Sequence, residues 1–190
     1  MAGQLQDKIA IVTGASNGIG RGIAETFGAE GAKTVLVARR AELLEEVAAG
    51  IRAGGGHALP VPVDLTREEG VLALFEKVKS SYGRLDVLVN NAGIVTDRPE
   101  VFERLMAAQL AAMSGETVEP VRCFSTLTDE QFDRMMRTHV YGTFNGMRAA
   151  LRHMEVARSG VIVNLSDEMD ELGIYTPKMI EDRVEVKKGD

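Results

Sequence analysis

Two hydrophobic periods alternate along this chain, and that alternation limits the folds open to it. Short β-branched runs at KIAIVT (8–13), KTVLVA (33–38), HALPVPV (57–63), LDVLV (85–89) and GVIVNL (160–165) predict strands. Amphipathic stretches lie between them: Ile19, Ile23 and Phe27 share one helical face, as do Leu43, Leu44, Val47 and Ile51. Thr66 with Glu69, and Thr128 with Gln131, read as capping boxes opening two further helices. The first of these carries Val71, Leu72, Leu74, Phe75 and Val78. Strands that are almost continuously apolar must be covered on both faces, which predicts a doubly wound parallel sheet in three α/β/α layers.

At 190 residues the chain is the size of one domain. Its formal charge of −6, from 28 acidic and 22 basic residues, argues against a nucleic-acid partner, because counterion release from phosphates needs a basic face. Its lone cysteine, Cys123, excludes an intrachain disulfide and reads as a small buried hydrophobe. The segment MAGQLQDKIAIVTG lacks a signal-peptide layout and no apolar run is long enough to span a bilayer, so the expected location is cytoplasmic, with no membrane partner. No metal site is expected.

Directly after the first strand comes TGASNGIG, Thr13–Gly20. Gly14, Gly18 and Gly20 allow a tight turn and a close approach of backbone to a pyrophosphate, which the positive end of the following helix attracts. A strand-to-helix turn without ligand is the plain alternative, but the βαβ setting favours dinucleotide binding. TGASNGIG, VDL at Val63–Leu65 and NNAG at Asn90–Gly93 together resemble the short-chain dehydrogenase/reductase family from about residue 7 to residue 166. The resemblance implies a Rossmann-like domain over residues 1–166. It implies that Gly14, Ser16, Asn17, Ile19 and Gly20 line the pyrophosphate and that Asp64 faces the adenine, with Leu65 in the same set. Asn90, Ala92 and Gly93 would border the adenosine side and ribose.

The second strand ends in VARRAE. An acidic residue there would bind the free 2′-hydroxyl of NAD, whereas Arg39 stands where a 2′-phosphate would lie, so NADP(H) is favoured over NAD(H). Arg40 reads as a solvated charge on the next helix.

The family's chemistry uses Asn, Ser, Tyr and Lys, the last two as Tyr-x-x-x-Lys on one helix: Tyr exchanges the proton, Lys⁺ lowers its pKa and Ser holds the substrate oxygen. By that resemblance His139 stands at the Asn position, either holding a water or serving as a hydrogen-bonded core residue. Aligning GVIVNLSD places Ser166 at the small residue before the catalytic Ser, and Asp167 at the catalytic position itself. Tyr175 and Lys178 are one residue short of the required interval, and Pro177 between them opposes a regular helix. The candidate catalytic set is Ser166, which a one-residue shift at the strand end would bring to the catalytic position, with Tyr175, Lys178 and His139; the favoured reading makes Tyr175 a loop tyrosine and Lys178 a solvated lysine.

Residues 167–190 form a divergent tail without the family's C-terminal strands and helices, which leaves GVIVNL near a sheet edge that DRVEVKKG could cover. A helical insertion at about 97–126 carries a stripe of Phe102, Met106, Leu110 and Met113, expected to pack as core, with a lid or a subunit contact as alternatives. The expected function is an NADP(H)-binding protein whose nominal reaction is hydride transfer with a small carbonyl or alcohol substrate, weak or absent in this chain. A non-catalytic dinucleotide- or partner-binding relative is the alternative. Self-association through residues 128–158 would make a homo-oligomer.

Overall fold

The five predicted strands pair in one parallel sheet, ordered β3-β2-β1-β4-β5. In this computed structural model, residues 3–94, 98–117, 121–122, 125–165, 168–169 and 175–176 are described. The sheet comprises β1 (Ile9–Thr13), β2 (Lys33–Ala38), β3 (His57–Pro62), β4 (Val87–Asn90) and β5 (Val161–Asn164). All five residues of β1 are buried, as its apolar run requires at the centre of a sheet covered on both sides. The outer strand β3 carries Pro60 and Pro62, which an edge tolerates because it can spare ladder donors.

Helices α1 (Gly18–Ala29) and α2 (Ala41–Ala53) cover one face, α3 (Glu68–Tyr82) and α6 (Gly142–Ala157) the other. Ala24, Leu44, Val47, Ala48 and Ile51 meet Val12, Leu36 and Val89 in the first layer. In the second layer, Val71, Leu74, Phe75, Val78, Ala149, Ala150 and Met154 meet Ile11, Val35, Val37, Leu88 and Ile162. The doubly wound, three-layer Rossmann-like fold is the observed one.

Three local expectations change. Thr128 does form a capping box with Gln131 and opens α5 (Asp129–Met136), but Thr66 does not cap α3. Its N–H and hydroxyl both donate to Asp64 Oδ1, at 3.0 and 2.8 Å, so the helix starts two residues on, with Arg67 as N-cap. The helix expected to continue from α5 widens into a π-turn at Arg137–Tyr141 before α6 resumes. The insertion does form a helix, α4 (Pro99–Met113), with its proline in the first turn, but none of its residues is buried. Leu110 is 66% and Met113 73% exposed, so the stripe is not core: no other described element packs broadly against it.

Glu168–Met169 (β6) and Tyr175–Thr176 (β7) form a small antiparallel pair, so Tyr175 lies on extended backbone and not in a loop. Ser166, Asp167, Pro177 and Lys178, the DRVEVKKG stretch and Cys123 lie outside the described residues. Among the described residues no helix is long and apolar enough to cross a membrane.

Candidate functional site

Because all five strands are parallel, the loops after β1, β2, β3 and β4 share one edge of the sheet. Chain order reverses direction between β1 and β4, and ligands bind in the crevice that such a reversal opens. The glycine loop and NNAG flank that crevice.

Thr13, 2% exposed, joins these two loops. Its hydroxyl donates to the Val89 carbonyl at 3.2 Å and accepts the N–H groups of Asn91 and Ala92, both at 2.9 Å. The Asn91 amide donates to the Thr13 carbonyl at 2.9 Å. A Cβ on Gly14 would lie 2.7 Å from the Asn91 amide nitrogen, and one on Gly20 would collide with both that amide and the Gly14 carbonyl. Thr13 and Asn91 are thus positioning residues that sequence reasoning passed over. Their partnership spans 78 positions, and no local pattern announces it.

The mouth of the loop is open. Gly14 and Gly18 have φ of 69 and 54°, the left-handed region that favours glycine, and nothing lies within 4 Å of a Cβ at Gly18. The N-cap residue of α1, Asn17, makes no side-chain capping bond, so the first-turn N–H groups of this helix have no side-chain cap. Ser16 is buried beside this turn, and Ile19 is 48% exposed over it. These residues fit a dinucleotide pyrophosphate: left-handed glycines, an uncapped helix start and clear space coincide.

At the next loop, Arg39 and Arg40 are exposed and no carboxylate of the described residues is in ion-pair contact with either. The Val63 N–H donates to the Ala38 carbonyl at 2.9 Å, which sets Asp64 beside Arg39. Burial pushes the Asp64 carboxyl up, but the Thr66 hydrogen bonds and the Arg39 and Arg67 charges outweigh it and hold the group below its ordinary value. Leu65 packs against the core and lies under Gly142 at the start of α6.

Among the remaining site residues, Asn90 is buried and its amide donates to Asn164 Oδ1 at 2.9 Å, tying β4 to β5. Gly93 lies against His139: a Cβ there would be 2.7 Å from the imidazole Cε1. His139 sits in the π-turn and is exposed, so it is not a core residue. Its Nε2 lies 2.9 Å from the Ile94 carbonyl and 3.2 Å from the Ile94 N–H, donating to the first or accepting from the second according to tautomer. A π-turn inserts one extra residue per turn and re-aims a side chain, a device with no sequence signature. The structure therefore gathers Gly14, Ser16, Asn17, Gly18, Ile19, Gly20, Arg39, Asp64, Leu65, Asn90, Ala92, Gly93 and His139 along one edge of the sheet. Among the described residues no cluster of three His, Cys, Asp or Glu side chains could hold a metal ion.

Known proteins share this fold. The short chain dehydrogenase family model matches residues 8–173. An uncharacterized oxidoreductase of Mycobacterium bovis is 36% identical over 174 residues, which cover 92% of this chain and 60% of the relative. The 7alpha-hydroxysteroid dehydrogenase of Clostridium sardiniense is 34% identical over 163 residues, 86% of this chain and 54% of its own. Among solved structures, a metagenomic short-chain oxidoreductase in complex with NADP matches with a TM-score of 0.70 at 32% identity, covering 86% of this chain and 64% of that one. A 7 alpha-hydroxysteroid dehydrogenase complexed with NADH and 7-oxo glycochenodeoxycholic acid matches at 0.67 and 30%, covering 85% and 54%. The chain spans no more than 60% of the length of these two curated relatives, and the two solved neighbours hold different dinucleotides. With a family model matched over residues 8–173 and a relative 36% identical across 92% of this chain, the chain belongs to the short chain dehydrogenase family.

Proposed function

We propose that this chain binds NADP(H) in preference to NAD(H) at the crevice between β1 and β4. The observation that carries the reading is the open glycine loop: left-handed Gly14 and Gly18 and an uncapped α1, held against NNAG by Thr13 and Asn91. Backbone N–H groups of Ser16–Gly20 hold the pyrophosphate, Asp64 and Leu65 border the adenine, and Asn90, Ala92 and Gly93 border the ribose. Arg39, exposed and without an ion-pair partner among the described residues, takes the 2′-phosphate through charge-assisted hydrogen bonds. When bound, the nicotinamide supplies or accepts a hydride, and the nominal reaction interconverts a small carbonyl and an alcohol.

Turnover in this chain is weak or absent on the same reading. A Tyr and Lys pair acts together when one helical turn puts both on one face, whereas Tyr175 has extended backbone and Pro177 precedes Lys178. Titration of NADPH and NADH, followed by nicotinamide fluorescence and thermal stability, tests the reading, since a ligand of the folded state raises the melting point. NADPH is expected to bind more tightly, with Arg39→Ala removing about tenfold of that preference. Failure of both nucleotides to bind would leave the loop a simple turn and overturn the reading. Steady oxidation of bound NADPH by a panel of small ketones and aldehydes would overturn the assignment of weak turnover.

A further inference from the structure

Arg39 is not the only cation at the 2′-phosphate end of the crevice. Two strands meet there: Ala38 pairs with Pro62 in register, and the Val63 N–H continues the ladder to the Ala38 carbonyl at 2.9 Å. Just beyond, Asp64 folds the chain back on itself. Its Oδ1 accepts the Thr66 N–H and hydroxyl, and its carbonyl accepts the Arg67 N–H at 3.2 Å. The turn holds Arg67 on the loop after β3, one turn from Asp64, while Arg39 stands at the end of the neighbouring strand β2. The charges of both arginines act on the Asp64 carboxylate, although neither is in ion-pair contact with it.

Arg67 has no structural employment that accounts for it. It occupies the N-cap of α3 in extended conformation, φ −109 and ψ 120°, and makes no side-chain capping bond. A short polar side chain is the stabilising choice at that position, and a positive charge faces the positive end of the helix. The adjacent Glu68 is taken by Arg148 of α6, so it does not neutralise Arg67. An exposed guanidinium without an ion pair among the described residues is left within electrostatic reach of the same carboxylate as Arg39.

We propose that Arg67 is a second specificity-determining residue for the dinucleotide, sharing the 2′-phosphate with Arg39. The proposal rests on the NADP(H) reading above and extends it: the preference is built by two cations from two different loops, one after β2 and one after β3. Either alone recognises the dianion partially, and together they approach it from two directions.

The test uses the full chain with three probes, NADPH, NADH and adenosine 2′,5′-bisphosphate, titrated into wild type, Arg67→Gln, Arg67→Lys and Arg39→Ala. For one exposed charge-assisted contact, Arg67→Gln is expected to weaken NADPH and the bisphosphate about fivefold while NADH stays within about twofold. Arg67→Lys, keeping the charge without the fork, should fall between the two. The melting point without ligand should not fall, because the Arg67 side chain caps nothing and its charge faces the positive end of α3. A wild-type preference for NADPH that Arg39→Ala removes but Arg67→Gln leaves intact would overturn this inference alone. Equal weakening of NADPH and NADH by Arg67→Gln would make Arg67 structural and overturn it as well. A wild type that binds both nucleotides equally would overturn the NADP(H) reading itself, and this inference with it.

Discussion

The unit from β1 through α1 to β2 and the stretch from α4 through the π-turn are similar in apolar character but opposite in what they do with it. All five residues of β1 are buried, as are four of the six in β2 and Gly20, Ala24 and Gly28 in α1. In α4, α5 and the π-turn, among the described residues, none is buried. Phe132, Val140 and Tyr141 are each about half exposed, at 48, 49 and 57%. The first unit holds its loop edge in place because Thr13, Gly14 and Gly20 are fixed against Asn91 and Ala92 from the loop after β4. The second carries apolar side chains that the described chain does not enclose, and its stability depends on local helix formation.

The sharpest way to break this comparison is to remove volume from each part. Ile11→Ala, at a fully buried position, is expected to cost about 3 kcal/mol through lost transfer energy and the cavity left behind. Leu110→Ala, at a position 66% exposed, should stay within about 0.5 kcal/mol. Urea unfolding of both variants measures the difference, and equal losses would show that α4 is enclosed after all.

A smaller effect separates the polar groups of the two parts. Thr13→Val keeps shape but removes the acceptor of two N–H groups and the donor to Val89, so about 2 kcal/mol should be lost from a site where water cannot easily substitute. NADPH affinity should fall with it, because the glycine loop and NNAG lose their tie. Thr138 in the π-turn donates to the Arg134 carbonyl at 2.9 Å, yet Thr138→Val should cost no more than about 0.5 kcal/mol, since that carbonyl stays within reach of solvent. Chemical denaturation with parallel nucleotide titration reads both, and an undiminished nucleotide affinity in Thr13→Val would separate the hydroxyl from the site.

What was legible in the sequence divides along the same line. The strands were readable to within two residues at each end because a buried parallel strand needs a continuous apolar run, and that run is local. The Thr128 capping box was readable because its partners lie three residues apart, while the similar Thr66 pattern misled because Asp64, two residues back, took the hydroxyl first. The glycine loop was visible; its anchoring by Thr13 and Asn91 was not, since that depends on β1 and β4 being neighbours. Helix formation in α4 followed from period and Pro99, but burial of its stripe depends on what stands opposite, which period does not encode. The π-turn at His139 had no signal at all.

The smallest effect asks whether the first unit is tight everywhere or only where it meets the crevice. Gly20 and Gly22 both lie in α1, two residues apart. At Gly20 a Cβ would meet the Gly14 carbonyl and the Asn91 amide, so that position is held by the site. At Gly22 nothing lies within 4 Å of a Cβ, and the backbone is ordinary helix. Glycine there only raises the entropy lost on folding, so Gly22→Ala should stabilise the protein by about 0.5–1 kcal/mol. For a chain of this size that is a rise in melting point of roughly 1–4 °C, with NADPH affinity unchanged. A fall in melting point would mean that the outer face of α1 is covered in solution, and a fall in affinity alone would mean that the crevice reaches further along α1 than Gly20. A rise would confine the tight packing to the buried side of α1, where Gly20, Ala24 and Gly28 lie, and leave its outer face free to change.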